Sequence, residues 1–187
     1  MKNLYKHVEN LLPPKRYTHT LGVVKTAIKL AKQYGIDENL AEQAALLHDI
    51  SKCMTLEEMH TYIECDETLN YYGHLGELLH GFAGSAYAHE KLHINDEDIL
   101  NAIKYHTVGR RNMSMLEKII YIADAIEPGR SYPCVEEIRM KVKKSLDEAI
   151  LFEVNRKIRY LLEINSIIHP NTIEMRNFII SNTVEVL

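Results

Sequence analysis

The stretch Ala45-Leu-Leu-His-Asp-Ile-Ser-Lys52 sets an imidazole and a carboxylate side by side at the end of an apolar run, with a lysine three residues on. A charge in an apolar setting is costly unless something pairs with it. Four other positions repeat the anomaly. His106 follows Ile99, Ala102 and Ile103 at spacings of seven, four and three, so it extends their inward stripe. Asp124 comes four residues after Ile120 in another apolar pattern, and His80 follows Leu78-Leu79 and precedes the small residues Gly81, Ala83 and Gly84. His19 opens a helical stripe of Leu21, Val24 and Ile28. Taken singly, each has an ordinary explanation: a hydrogen-bonded core histidine, or an aspartate capping a helix. Taken together, four histidines and two aspartates on separate helices point to a shared metal site, because one site accounts for all six. Imidazole and carboxylate suit zinc, iron or manganese. Helix bundles build such sites from inward side chains on facing helices. Six donors exceed one tetrahedral ion and divide between two ions if one carboxylate bridges.

The elements that must carry these residues read almost entirely as helix. Leu21, Val24, Ile28 and Ala31 predict one helix ended by Gly35. Asp37 caps the next, which runs into the His48-Asp49 stretch. Thr55 to Glu58 is a capping-box pattern opening a short helix. Residues 65–74 read as a loop that includes Tyr71 and Tyr72. Helices are expected from about Leu75 to Lys91, after a cap at Asn95 or Asp96, and from Met115 to Ala125, where Pro128-Gly129 closes the last of these. Gly109 to Asn112 reads as a loop. The stretch from Val135 to Leu162 is helical, as one helix or two, and a last helix starts near Thr172 after Pro170. No clean alternating strand pattern appears. The expected class is all-α, one domain over 1–187, with a core over about 15–130 and C-terminal helices over 135–187 packed on it.

Composition narrows the function classes. A chain of 187 residues supports one well-packed core. Net charge is −4 and the basic residues are scattered, which argues against nucleic acid and anionic membranes as partners. Cys53, Cys65 and Cys134 are odd in number and lack metal-thiolate spacing, as expected in a reducing cytoplasm. No secretory signal and no membrane span is expected.

The order His19, His48-Asp49, His80, His106, Asp124 resembles the metal-dependent phosphohydrolases of the HD superfamily, in the version with two extra histidines that is associated with dinuclear sites. The strings RYTHTLGV (16–23), LLHDISK (46–52), LLHGFAG (78–84), YHTVGR (105–110), YIADAIEPGR (121–130) and IHPNTIEMRN (168–177) are similar to the YqeK family. That family hydrolyses diadenosine tetraphosphate and related dinucleoside polyphosphates symmetrically, giving two nucleoside diphosphates. The resemblance implies a helical HD-domain bundle with the metal site in its core. It implies that His19, His48, Asp49 and Asp124 hold one ion and that Asp49, His80 and His106 hold a second, with Asp49 bridging. It also implies iron first and manganese second.

The chemistry then follows. A water bridging two cations has a lowered pKa and serves as hydroxide, and two ions ~3.5–4 Å apart hold it in line with the leaving phosphate. Asp49, Lys52 and Arg130 are the catalytic candidates. Lys52 reaches towards the site from just past Asp49, and Arg130 follows the rigid Pro128-Gly129 turn, where a guanidinium can clamp phosphate. Lys52, Thr107, Arg110 and Arg130 are the substrate-binding candidates, with Arg111 weaker, and Glu127 is either an orienting group or a counter-charge for Arg130. The ordinary alternative for each is solvated surface charge or a turn cap. Tyr17, Phe82 and Tyr105 adjoin ligands but read as core. The expected ligand is a dinucleoside polyphosphate or a nucleoside diphosphate, and a homodimer through 135–165 stays open. The alternatives are another HD-type hydrolase (of guanosine polyphosphates, nucleotides or cyclic dinucleotides), an oxygenase on a related di-iron scaffold, or a nucleotide-binding regulator without turnover.

Overall fold

A computed structural model of the chain describes residues 1–63 and 71–183. Cys65 and most of the predicted 65–74 loop lie outside the described residues. The elements are α1 (Lys2–Leu11), α2 (Pro14–Tyr34), α3 (Glu38–Leu47), α4 (Leu56–His60), α5 (Gly76–Leu92), α6 (Glu97–Tyr105), α7 (Met115–Ile126), α8 (Val135–Lys141), α9 (Leu146–Glu163) and α10 (Pro170–Thr183). No strand occurs among the described residues. The all-α expectation therefore holds.

Local chemistry explains most boundaries. Pro14 occupies the first position of α2, where its missing N–H costs nothing, and Gly35 closes the helix at φ 71°. Helix α2 thus begins more than a turn before His19, which lies inside the helix rather than at its start. Side chains of Asp37, Thr55, Asp96, Ser114 and Ser145 each accept from a backbone N–H of the following first turn. Thr55 and Glu58 form the expected capping box. The 135–162 stretch is two helices, broken at residues 142–145.

Helix α7 is buried on nearly every side, through Leu116, Ile119, Ile120, Tyr121, Ile122, Ala123 and Ile126. A helix that is apolar all round belongs at the centre of the packing, and α2, α3, α6, α8 and α9 all pack against it. The alanine face of α3, Ala41, Ala44 and Ala45, is fully buried. Two glycines set the approach of α5. A Cβ at Gly81 would lie 2.6 Å from the Lys104 carbonyl oxygen on α6. Gly84 faces Ser51, whose hydroxyl donates to the His80 carbonyl at 2.5 Å. The small residues after His80 are thus what bring α5 close enough for His80 to meet His106. Among the described residues, no helix is long and apolar enough to cross a membrane.

Candidate active site

His48 and His106 occupy equivalent places in the fold. Each is the residue that ends a helix, α3 and α6 respectively. Each ring Nδ1 lies 2.7 Å from the carbonyl three residues back, Ala45 and Ile103. A carbonyl only accepts, so Nδ1 donates and Nε2 is left with its lone pair facing inward. The helix end, with its unpaired carbonyls, therefore selects the tautomer a metal ligand requires. Two helix C-termini aimed at one point also favour positive charge there.

The remaining ligand candidates converge on the same point. His19 Nε2 lies 3.0 Å from Asp124 Oδ1 and 3.8 Å from Asp49 Oδ2. His48 Nε2 lies 3.5 Å from Asp49 Oδ2 and 3.9 Å from Asp124 Oδ1. On the other side, Asp49 Oδ1 is 3.2 Å from His80 Nε2 and 3.7 Å from His106 Nε2. Asp49 thus turns one oxygen to His19 and His48 and the other to His80 and His106. Donor atoms of His19, His48 and Asp124 lie within 4.8 Å of one another, and so do those of His48, Asp49 and His106.

Two observations indicate that these residues fit cations. The Nε2 atoms of His19 and His48 are buried and make no well-formed hydrogen bond, although carboxylate oxygens stand close by. Orphaned buried ring nitrogens are costly. Secondly, the Nε2 atoms of His80 and His106 lie only 3.0 Å apart. His106 Nδ1 is turned to a carbonyl, so its Nε2 offers a lone pair, while His80 Nδ1 stands 3.3 Å from Gly76 O and 3.4 Å from the Lys52 ammonium. The Thr107 hydroxyl, 3.2 and 3.0 Å from the Nε2 atoms of His80 and His106, can donate to only one. A cation among these atoms would take up the orphaned nitrogens of His19 and His48 and the lone pair of His106.

Burial lowers His48 to about 4 and also pushes His80 down, so both rings are neutral donors near pH 7. Burial works to raise Asp49, but His48, His106 and His80 outweigh it and hold the carboxyl well below the usual range. Burial likewise opposes ionisation of Asp124, and His19, His48 and Arg130 overcome it.

Glu127 supplies the outer support for His19, taking Nδ1 at 3.1 Å while its other oxygen accepts from the Gly129 N–H at 2.6 Å. Such a carboxylate orients a ligating ring and raises its basicity. Room for it comes from Gly22, one turn after His19 near the start of α2: a Cβ there would stand 2.5 Å from Glu127 Oε2. Gly22→Ala is expected to weaken metal binding by roughly 10-fold. It should also cost ~1–3 kcal/mol of stability. Metal titration and thermal melting read these two effects.

The structure distributes the phosphate candidates unevenly. Arg130 donates to Asp124 Oδ1 at 2.6 Å and to the Asp124 carbonyl at 3.0 Å, with its side chain 36% exposed. Thr107 touches both ligand rings. Lys52 lies beyond the end of α3, 2.6 Å from Glu77, whose carboxylate is 84% exposed. Arg110 is engaged elsewhere: Nε and Nη2 reach the two oxygens of the buried Glu117 at 2.8 and 2.5 Å. Arg111 lies over the Phe178 ring. Arg16, which the residue pattern did not single out, places Nη1 2.8 Å from Asp49 Oδ2. Its signal was available, since it precedes His19 by one helical turn. Tyr72 packs on His169 at 4.7 Å between ring centres, and Phe82 on Tyr105 at 6.1 Å, as core-like aromatic contacts.

The HD domain family matches residues 16–129, which span all six ligand candidates. A symmetrical bis(5'-nucleosyl)-tetraphosphatase of Halalkalibacterium halodurans is 46% identical over 165 residues, 87% of each chain. One from Bacillus subtilis is 38% identical over 177 residues, 94% of this chain and 95% of that one. A crystal structure described as a predicted HD superfamily hydrolase involved in NAD metabolism, from Clostridium acetobutylicum, superposes with a TM-score of 0.91 at 41% identity, covering 97% of both chains. By the family match over residues 16–129 and the identity to these relatives, the chain belongs to the HD superfamily of hydrolases, and within it to the symmetrical bis(5'-nucleosyl)-tetraphosphatases.

Proposed function

We propose that the chain cleaves dinucleoside tetraphosphates at the central anhydride, converting diadenosine tetraphosphate and water into two ADP. The observation that carries this reading is the split of Asp49, one oxygen towards each group of imidazoles, beside guanidinium groups with donors to spare. In this reading His19, His48, Asp49 and Asp124 would hold one cation, and Asp49, His80 and His106 the other. When bound, the pair, iron first and manganese second, lowers the pKa of a water and offsets phosphate charge. Residues 1–187 act as one unit.

The chain's own residues then bind and orient the polyphosphate. Arg130 and Arg16 each hold a ligand carboxylate with one edge and keep further N–H donors on a partly exposed guanidinium, 36% and 34% of the side chains. Guanidinium forks suit phosphate oxygens. Lys52 pairs with the exposed carboxylate of Glu77 at 2.6 Å and also stands 3.4 Å from His80 Nδ1, and a pair with an exposed carboxylate is worth little. Exchanging Glu77 for a phosphate oxygen therefore costs little. Thr107 can turn its hydroxyl from a ring nitrogen to a phosphate oxygen. The leaving nucleoside diphosphate is stable as an anion, so the main demand is positioning and charge compensation.

Arg16→Ala is expected to raise KM and lower kcat/KM by roughly 10–30-fold, the worth of one charge-assisted hydrogen bond of ~1.5–2 kcal/mol. Steady-state kinetics on diadenosine tetraphosphate measure it. The function itself is tested by product analysis of the metal-loaded protein. ADP as sole product supports it, and AMP together with ATP overturns it.

A further inference from the structure

The turn that carries His106 and Thr107 is held from outside by the C-terminal helices, beyond the span that matches the HD domain. Lys157 on α9 donates from Nζ to the Thr107 carbonyl at 3.2 Å and to the Tyr121 hydroxyl at 3.1 Å. Tyr121 is on α7, the helix of Asp124, and is 2% exposed. Thr172 on α10 donates to the next carbonyl, Val108, at 2.9 Å. Gly109 follows at φ 68°, and any side chain there would run into Met175 of α10. Burial opposes the charge on Lys157, but Tyr121 and Glu153 outweigh it, so the ammonium stays charged. A buried ammonium is expensive, and a hydrophobic residue would pack there at lower cost. Its two hydrogen bonds lead to the helix of Asp124 and to the residue whose hydroxyl touches both His80 and His106.

We propose that Lys157 is a positioning residue for the His80–His106 half of the site, acting through the backbone of Thr107. The inference rests on the two-cation reading above. It adds that the α9 and α10 helices are part of the site's framework, so the segment matching the HD domain does not build a complete site alone. The ammonium fixes the Thr107 carbonyl. That in turn fixes the Thr107 hydroxyl and the orientation of the adjoining His106 ring.

The test is Mn²⁺ titration of the metal-stripped full-length protein by calorimetry, for wild type, Lys157→Met and Ile150→Ala. Ile150 is fully buried on the same helix and serves as the control for general loosening. Lys157→Met should weaken one of two Mn²⁺ equivalents by ~10–100-fold and leave the other unchanged. It should lower kcat with little change in KM. Ile150→Ala should lower the melting temperature and leave both equivalents tight. Unchanged Mn²⁺ binding in Lys157→Met, or equal weakening in both variants, would overturn the inference. Should Lys157→Met not fold, Tyr121→Phe removes one of the lysine's two anchors and should weaken the same equivalent more mildly; no change there overturns the inference equally. Because the titration needs no nucleotide, it stands even if product analysis sinks the substrate assignment. A wild-type protein that binds only one ion would overturn the two-cation reading and this inference with it.

Discussion

Asp49→Asn should strip both cations from the protein and lower kcat/KM by at least ~10³-fold. Asparagine keeps the shape of the side chain, so the fold has no cavity to absorb. What disappears is the charge that faces two groups of imidazoles through two different oxygens, His19 and His48 through Oδ2, and His80 and His106 through Oδ1. A neutral amide presents one oxygen and one NH₂, and the NH₂ side would repel a cation. Several kcal/mol of transition-state charge stabilisation per ion are at stake, and each ~1.4 kcal/mol is tenfold in rate. Elemental analysis of the purified variant, together with single-turnover kinetics, checks both parts. Retention of two equivalents of metal would show that Asp49 does not link the two halves.

His106→Ala should have the opposite stoichiometric result. One equivalent of metal is lost and the other kept, with kcat falling ~10²–10³-fold. The reason is again geometric. His106 reaches Asp49 Oδ1 and the His80 ring, whereas the Asp124 side contains His19 and His48. Removing His106 also deletes a buried ring, so the metal-free variant should melt lower by the cost of that loss. That loss also frees the Ile103 carbonyl at the end of α6. Metal analysis and thermal melting before and after chelation separate the two effects. Loss of both equivalents would contradict the division of ligands between two sites.

The cluster of six side chains was legible in the amino-acid sequence because burial punishes misplaced polarity. Each of the six residues interrupts an apolar pattern, and the helical periods around them are strong enough to show the interruption. Caps at Asp37, Thr55 and Asp96, and the stop at Gly35, were legible for the same kind of reason, since they are decided within a few residues of chain. Three features were not. Arg16 looks like a surface arginine until α2 packs on α3 and carries it to Asp49. Arg110 looks free until α7 brings Glu117 beneath it. Lys157 belongs to a stretch without a chemical pattern, and only the docking of α9 on α7 buries it beside Thr107. Composition and period determine which side chains must be inside and which helices present them. Tertiary packing decides which of those side chains meet, because a contact across dozens of residues depends on crossing helices whose approach is set by residues as small as Gly81 and Gly22.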